Sequence, residues 1–413
     1  MTVCAVICEL NPFTLGHEYL FRKARSLTGA DYVIALMSGD FVERGLPAIC
    51  DKYTRCEAAL KGGADLVIEL PAIYATASAD YFAYGGVTLL DCLGCVDFLC
   101  FGSECGDLDI LRSCAGLKDN GEPEVHILSS GQSVQEAVNG KITKLLKEGV
   151  SYAKAYSQVT GNEFASNDML AVRYLKSLDM RLSKIKPFAV KREGADYLDE
   201  SALSNSAGAV RKRIFAKEDY AHLVPKYSMR EMENARGVTF PIGPNDFSQR
   251  LYATIDMILS EESFSIQLKD YMDVSANIEG RIKSNITQFT DYESFAGAVH
   301  SKEYTKSRVY RALLHILLGI RKEDYPEELE MCEAHYARIL GFREGSKEIL
   351  SLIKETSLIP VIGKAGDAEK YLDEEALSVY RKDIYAANLY DMACVFKFKK
   401  KPAHDFTRQI VIV

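Results

Sequence analysis

The 413-residue sequence lacks the long apolar run that a membrane protein needs. No stretch reaches the roughly 18 consecutive apolar residues of a membrane-spanning helix. The chain also starts without the charged leader and small-residue cleavage site of a signal peptide, because its first apolar run, residues 3–8, meets Glu9 at once. We therefore expect a cytoplasmic protein with no membrane partner.

An excess of positive charge is also missing. The sequence carries 50 lysines and arginines against 58 aspartates and glutamates, a formal net charge of −8. This balance excludes a protein that coats nucleic acid without selectivity, and we expect no DNA partner. Basic residues still cluster in residues 181–192, 302–322 and 397–408. These clusters are either RNA-phosphate contacts, with Tyr304 and Tyr310 as stacking partners, or solvated helix faces.

The 11 cysteines form no complete metal-binding pattern. Cys92 and Cys95 have the spacing of half a zinc site, but Cys100 and Cys105 do not repeat it and no nearby histidine completes the set. We interpret the cysteines as reduced, buried thiols and name no metal ligand among the site residues.

The first half of the sequence alternates short apolar runs with stretches of helical periodicity. Uniformly apolar runs are typical of parallel strands buried on both faces, and their alternation with helices predicts an α/β fold with a Rossmann-like, doubly wound parallel sheet. The predicted strands are residues 3–8, 32–37, 66–70, 97–101 and 185–190, and the predicted helices are residues 15–27, 52–61 with Asp51 as N-cap, 78–92, 134–148, 151–159 and 168–178.

The second half shows mainly helical spacing, over residues 247–261, 304–318, 327–340 and 346–355. We therefore divide the chain into a sheet domain, residues 1–220, and a mainly α-helical domain, residues 221–413. His315 lies on the apolar face of a predicted helix, where a core position is favoured over a ligand role.

The segment between the first strand and the first helix carries the most informative motif, Ile7-Cys-Glu-Leu-Asn-Pro-Phe-Thr-Leu-Gly-His17. In a doubly wound fold, ligands bind beyond the carboxyl ends of the strands, and helix N-termini offer N–H groups to phosphates. Gly16 lets the backbone approach a ligand, and His17 can donate a hydrogen bond to a phosphate oxygen as pyrophosphate leaves. The alternative is an ordinary helix N-terminus with a surface histidine.

This motif resembles the HxGH signature of the nucleotidyltransferase superfamily, whose members direct attack at the α-phosphate of a nucleoside triphosphate. Longer blocks closely resemble the bacterial tRNA(Met) cytidine acetate ligase family. The resemblance implies that ATP activates acetate as acetyl-adenylate, and that the acetyl group passes to the exocyclic amine of the wobble cytidine of elongator tRNA(Met). It makes residues 1–220 the ATP-binding domain and 221–413 the tRNA-binding one. The blocks are residues 37–45, 51–55, 63–71, 78–85, 101–104, 273–275, 304–308 and 314–317.

The resemblance also implies the site residues. Gly102 would let the nucleotide lie against bare backbone. His17, Ser206 and Arg211 take the catalytic positions, the last two from a second motif at a helix start. The ATP loop comprises Ile7, Cys8, Glu9, Leu10, Asn11, Pro12, Phe13, Thr14, Leu15, Gly16, His17, Glu18, Tyr19 and Leu20.

Two further positions resemble nucleotide-binding residues of the family, and each has an ordinary alternative. Asn167 could equally be the N-cap of the following helix. Arg192 could bind phosphate bidentately or be a solvated charge on a loop. Candidate acetate contacts are Ser38, Gly39 and Arg44, after the second strand.

Two residues depart from the family pattern: Thr14 replaces the first signature histidine, and Gly208 replaces a threonine of the second motif. Thr14 donates a hydrogen bond but carries no positive charge, and losing one such donor costs roughly 10²–10³ in rate in other enzymes. Two alternatives therefore stay open, a nucleotidyltransferase acting on another small acid and a weakened homologue that binds nucleotide and tRNA. Mg²⁺ is expected with the triphosphate, but the sequence assigns it no protein ligand, and Asp40 is an option that stays open.

Overall fold

Eight of the ten strands in the described residues form one central sheet. The computed structural model describes residues 1–116, 166–192, 206–260 and 266–413, with ten further residues between 141 and 159. The strands are β1 (Val3–Cys8), β2 (Tyr32–Ser38), β3 (Phe41–Val42), β4 (Leu46–Pro47), β5 (Leu66–Leu70), β6 (Phe98–Ser103), β7 (Lys186–Lys191), β8 (Ala337–Phe342), β9 (Val361–Ile362) and β10 (Val411–Ile412).

The strand order of the sheet creates a crevice. The order is β10-β8-β5-β2-β1-β6-β7, and β9 pairs with β8. The five strands from β5 to β7 are mutually parallel, whereas β8 joins β5 in antiparallel fashion. From β1, the chain adds β2 and then β5 on one side of the sheet. It then returns to the other side of β1, where it adds β6 and β7. The topological switch point therefore lies between β1 and β6, where open α/β sheets bind ligands.

Local signals set the ends of the helices that flank this crevice. Asp51 caps its helix by accepting hydrogen bonds from the N–H groups of Tyr53 (3.0 Å) and Thr54 (3.1 Å). The helices are α1 (Leu15–Thr28), α2 (Lys52–Lys61), α3 (Ala72–Ala75), α4 (Ala79–Cys92), α5 (Leu108–Ala115), α6 (Ser166–Met180), α7 (Ala207–Ala216), α8 (Lys226–Ala235), α9 (Ser248–Ser260), α10 (Ala276–Asn285), α11 (Tyr292–Val299), α12 (Lys306–Leu318), α13 (Lys347–Thr356) and α14 (Glu374–Phe398).

The sheet separates two hydrophobic cores, because successive side chains of a strand point to opposite faces. Cys4 and Val6 of β1 belong to a smaller core with residues of α1 and α2. Val3 and Ala5 belong to a large core that includes α4 and α6 and continues through the helices of the second half. Both faces of β1 are thus covered, as its uniformly apolar sequence predicts.

A buried ionic network fastens the C-terminal segment to the sheet. Lys52 Nζ lies 2.8 Å from Glu69 and 2.9 Å from Asp405, and Arg338 bridges the same two carboxylates at 3.1 and 2.9 Å. The hydroxyl of Tyr53 donates to Asp405 at 3.0 Å. The network joins the start of α2, strands β5 and β8 and the last residues of the chain.

Most predicted elements are confirmed, often to within one or two residues. The helix predicted over residues 327–340 is wrong, since this stretch holds a short 3₁₀ turn at Leu329–Met331 and the start of β8. Strands β8 to β10 also extend the sheet from the second half, so the boundary at residue 220 stays a prediction. The helices predicted over residues 134–148 and 151–159 lie largely outside the described residues.

His315 is a core residue, as expected. It is fully buried, and its ring lies 3.0 Å from the carbonyl oxygen of Thr76 and 3.2 Å from that of Met272. Within the described ranges, no helix combines the length and apolar character that crossing a membrane requires.

Candidate functional site

Several of the predicted site residues lie near the switch point between β1 and β6. The loop after β1 leads into α1, Gly102 is the penultimate residue of β6, and Arg192 directly follows β7. These positions share the carboxyl edge of the parallel strands, where ligands bind in such sheets.

His17 is held as a neutral hydrogen-bond donor. The backbone N–H of Thr14 donates to His17 Nδ1 at 3.0 Å, and the Thr14 hydroxyl lies 3.1 Å from the same nitrogen. A backbone N–H can only donate, so Nδ1 accepts and the proton of the neutral ring resides on Nε2. Burial, together with the charge of Arg192, lowers the pKa of His17 to about 4. His17 thus offers one N–H, on Nε2, to a ligand at neutral pH.

Arg192 and Gly102 form an open face beside His17. The backbone N–H of Arg192 donates to the carbonyl of Ser103 at 3.0 Å. This hydrogen bond fixes the backbone of Arg192 beside the end of β6. A methyl group added at Gly102 would lie 3.6 Å from Arg192 Cγ, an ordinary van der Waals distance. The Arg192 side chain remains 44% exposed, with Nε 4.0 Å from a Glu104 carboxylate oxygen. It is therefore available to a phosphate.

Glu104 organises the far wall of the crevice and was missed in the sequence. It accepts a hydrogen bond from the side-chain amide of Asn167 at 2.5 Å and another from the backbone N–H of Asp168 at 3.1 Å. Asp168 is fully buried and accepts from the hydroxyl of Ser103 and the N–H of Cys105. Asn167 is thereby tied to the end of β6 from the first turn of α6.

The second motif reaches the ATP loop through one side chain. Arg211 of α7 donates a hydrogen bond to the backbone carbonyl of Asn11. Burial lowers the pKa of Arg211 from its ordinary value. Ser206 caps the same helix by accepting from the N–H of Ala209 at 3.1 Å. The structure thus brings Arg211 onto the loop, with Ser206 at the helix start.

Asn11 has an unused donor at this junction. Its side-chain oxygen accepts from the N–H of Ile49 at 2.8 Å, and the side chain is 1% exposed. Its Nδ2 has no hydrogen-bond partner among the described residues. A buried amide nitrogen without a partner is costly, which marks this loop as a place where a ligand can bind.

Most other side chains of the ATP loop serve the fold. Glu18 accepts a hydrogen bond from the hydroxyl of Tyr227 at 2.9 Å, and the Tyr227 ring lies against Phe13. Ligand contact in this part of the loop therefore falls mainly to the backbone. Side chains buried in or against the protein interior are those of Ile7, Cys8, Leu10, Pro12 and Phe13.

The candidate acetate residues separate into two groups. Ser38 and Gly39 are covered, because the guanidinium of Arg55 binds both of their backbone carbonyls. Arg44 is exposed, and its charge acts on Arg211. Asp40 is buried and accepts from the backbone N–H of Lys52 at 2.8 Å, which occupies the carboxylate suggested for magnesium.

The basic clusters also differ in what they expose. In residues 302–322, Tyr310 is buried against Tyr292, so its expected stacking role is wrong. Arg311 is buried and paired with Asp273 at 2.9 Å. In contrast, the lysines of residues 397–401 are all exposed.

Comparisons with known proteins identify the family of this chain. A family model described as HIGH Nucleotidyl Transferase matches residues 1–405. A tRNA(Met) cytidine acetate ligase from Clostridium perfringens (strain ATCC 13124) is 36% identical over 94% of this chain and 95% of its own. One from Thermoanaerobacter sp. (strain X514) is 36% identical over 100% of both chains.

Solved structures agree with this placement. A crystal structure of Thermotoga maritima TmcAL bound with alpha-thio ATP matches with a TM-score of 0.82 and 29% identity, covering 100% of both chains. The apo form of the same protein matches with a TM-score of 0.83. The chain therefore belongs to the HIGH nucleotidyl transferases and, among them, to the tRNA(Met) cytidine acetate ligase family.

Proposed function

We propose that the protein uses ATP to activate acetate and transfers the acetyl group to the exocyclic amine of the wobble cytidine of elongator tRNA(Met). The observation that carries this proposal is the convergence of His17, Arg192 and Arg211 at the switch point, in a chain whose relatives bear that activity in their names. The solved relative bound with alpha-thio ATP supports ATP as the nucleotide.

The site residues suit the first step, adenylation. A carboxylate is a poor electrophile, so an acetate oxygen attacks the α-phosphate of ATP, and the bond to pyrophosphate breaks. Negative charge grows on the departing phosphates, where a fixed donor stabilises the transition state more than the ground state. His17 Nε2–H supplies such a donor, and Arg192 and Arg211 supply charge. Arg44, exposed and near Arg211, is our candidate for orienting acetate.

The second step needs no enzyme nucleophile. The cytidine amine attacks the carbonyl carbon of acetyl-adenylate, the bond to the AMP oxygen breaks, and the amine loses a proton. AMP is the leaving group. The protein's task in this step is to hold the two reactants together and to exclude water, which would hydrolyse the mixed anhydride.

Mg²⁺ is proposed only as a companion of the triphosphate. Asp40 does not fit a ligand role, because it is buried and bonded to Lys52. Across the described ranges, no group of three or more His, Cys, Asp or Glu side chains is placed to hold a metal ion. Phosphate oxygens and water, the ligands that Mg²⁺ favours, would then coordinate it.

We also propose a cytoplasmic location and assign RNA binding mainly to residues 221–413. One experiment tests the function: incubation of the protein with labelled acetate, ATP and elongator tRNA(Met). Label in the tRNA supports the proposal. Pyrophosphate release with a different acid and unlabelled tRNA would indicate another nucleotidyltransferase activity. ATP binding without turnover would indicate a weakened homologue, in which Thr14 no longer supports adenylation.

A further inference from the structure

Three phenylalanines are exposed beyond the proposed active site. Phe215 is 48% exposed, Phe396 is 62% exposed and Phe406 is 52% exposed. Single exposed apolar side chains are common on proteins, but Phe396 and Phe406 flank a run of exposed lysines in the sequence, and Phe215 is linked to Lys397 through a short turn. We call them, with Lys399, Lys400 and Lys401, the phenylalanine surface.

A short turn connects Phe215 to Lys397, the residue after Phe396. The ring of Phe215 covers Gly243, where an added methyl group would lie 2.9 Å from the ring. The backbone N–H of Gly243 donates to Asp246 at 2.8 Å, and the same carboxylate oxygen accepts from Lys397 Nζ at 2.8 Å. Lys397 directly follows Phe396 on α14. The contacts therefore run from Phe215 through this turn to Lys397, the neighbour of Phe396 in the sequence.

The lysine run separates Phe396 from Phe406. Lys399 ends α14 in the left-handed conformation, with φ of 59°, which turns the chain away from the helix axis. Lys399, Lys400 and Lys401 are exposed. The ring of Phe406 stacks on that of His404 at 5.2 Å and 30°. Along the chain, the exposed Phe396 and Phe406 thus flank a run of exposed lysines.

The phenylalanine surface adjoins the proposed active site at two places. Phe215 follows Arg211 by one turn of α7. At the other end, Asp405, next to Phe406, is buried against Lys52, and the loop before Lys52 donates from Ile49 to Asn11 of the ATP loop. One end of the surface therefore shares α7 with Arg211, and the other end is linked to the ATP loop through the loop before α2.

We propose that the phenylalanine surface binds unpaired nucleotides of the tRNA, stacking bases on Phe396 and Phe406 and pairing phosphates with Lys399, Lys400 and Lys401. This inference rests on the proposed function, since it takes tRNA as the partner. Unpaired bases stack on aromatic rings whatever their sequence, and lysines follow the backbone. The lysine run is complementary to a polyanion, in a protein whose net charge is −8.

The test compares equilibrium affinities for transcribed elongator tRNA(Met). Phe396→Ala and Phe406→Ala should each weaken binding roughly 5- to 100-fold, the range for loss of one stacked base. Tyr371→Ala is the matched control, because Tyr371 is 62% exposed but precedes the start of the 25-residue α14, about 35 Å from Lys399. Equal losses in the control and the two phenylalanine variants would overturn the proposal.

Salt dependence separates stacking from charge. Lys400→Gln should lower the slope of log Kd against log salt concentration by roughly 0.7, the single-strand value per phosphate contact, whereas Phe396→Ala should keep the wild-type slope. Phe396→Leu keeps apolar bulk and should still lose affinity. If Phe396→Leu binds tRNA like the wild type, stacking is excluded and the proposal fails.

Two outcomes separate this inference from the proposed function. If the wild type acetylates tRNA and both phenylalanine variants bind tRNA normally, the proposed RNA-binding surface is wrong and the proposed function stands. If the wild type does not acetylate tRNA but binds it with the predicted dependence on Phe396 and Phe406, the proposed function is wrong and the proposed RNA-binding surface stands. Sedimentation of the wild type and of Phe396→Ala tests whether the surface instead binds a second copy of the chain. A change of mass in Phe396→Ala without a change in RNA affinity would overturn the proposal.

Discussion

Arg211 donates a hydrogen bond to the backbone carbonyl of Asn11, 200 residues earlier in the sequence. The bond holds α7 against the loop after β1, so the two motifs of the site are positioned by the protein itself. Pre-positioned donors cost no reorganisation when charge develops on a substrate.

Arg211→Ala should weaken ATP binding by about 1.5–3 kcal/mol, roughly 10- to 100-fold in Kd, the range for hydrogen bonds that involve a charged group. The loss has two sources, the missing contact to phosphate and the freed loop. Calorimetric titration with ATP measures it. Arg213→Ala, on the same helix but donating to the carbonyl of Asp219, is the matched control and should bind ATP normally. Equal affinities in the two variants would remove Arg211 from the site.

Gly102→Ala should reduce ATP affinity without destabilising the protein. The added methyl group meets nothing closer than Arg192 Cγ at 3.6 Å, so the fold accepts it, whereas a nucleotide lying against Gly102 would not. Urea unfolding and ATP titration of the same variant separate the two effects. Gly280→Ala, in open space on α10, is the control. Unchanged ATP affinity in Gly102→Ala would place the nucleotide elsewhere.

Arg192→Ala tests the other side of that crevice. Its guanidinium contributes to the lowered pKa of His17, so the variant should raise that pKa toward its ordinary value and weaken ATP binding. The histidine pKa can be followed by NMR titration, and ATP affinity by calorimetry. If ATP affinity is unchanged, Arg192 does not belong to the pocket.

His17 should make stability depend on pH between about 4 and 6.5. The pKa of His17 is lowered to about 4 in the folded protein, against about 6.5 when unfolded, so the unfolded chain binds the proton first as pH falls. The free energy of unfolding therefore decreases across this window. Urea unfolding of wild type and His17→Gln at pH 5 and 7.5 tests this, with the exposed His300→Gln as control. If the free energy of unfolding of His17→Gln depends on pH as strongly as that of the wild type, His17 is not the source of this pH dependence.

Thr14→His should retain ATP binding and raise the rate of acetate-dependent pyrophosphate release. The substitution restores the residue expected from the family signature, beside His17, and adds a second imidazole donor for the leaving phosphates. Thr14→Ser, which keeps the hydroxyl, is the control and should turn over like the wild type. Loss of ATP binding in a folded Thr14→His variant would show that the loop is built differently here.

Sequence patterns predicted the elements that are locally encoded. Strand β1 is a buried apolar run that ends at a polar loop, and Asp51 is a local cap, so both were visible in the sequence. Strand β8 was mistaken for a helix, because a short buried run such as residues 337–342 has no distinguishing period. Its assignment depends on pairing with β5, far away in the chain.

The residues of the candidate site also divide into those with a local sequence signal and those placed by contacts that are distant in the sequence. His17 could be predicted because it lies in the first turn of the helix that follows β1, and Gly102 because it lies next to the last residue of β6. Glu104 could not be assigned, although it directly follows β6, because its partners Asn167 and Asp168 lie more than 60 residues away. Long-range pairing gives these side chains their role, and no spacing in the sequence encodes it.

Asp405→Asn should destabilise the protein by about 3–5 kcal/mol, because removing one partner leaves buried charges uncompensated. Burial alone would raise the pKa of Asp405, but Lys52 and Arg338 outweigh it and hold that pKa well below its usual range. Its stabilising contribution is therefore present above about pH 4 and is lost as pH falls further. Urea unfolding measures the loss at pH 7, with Asp367→Asn as control, because Asp367 is 34% exposed and its ion-pair partner Lys370 is 68% exposed. Equal stability in both variants would mean that the network does not fasten the C-terminal segment, and the phenylalanine surface would lose its anchor beside the site.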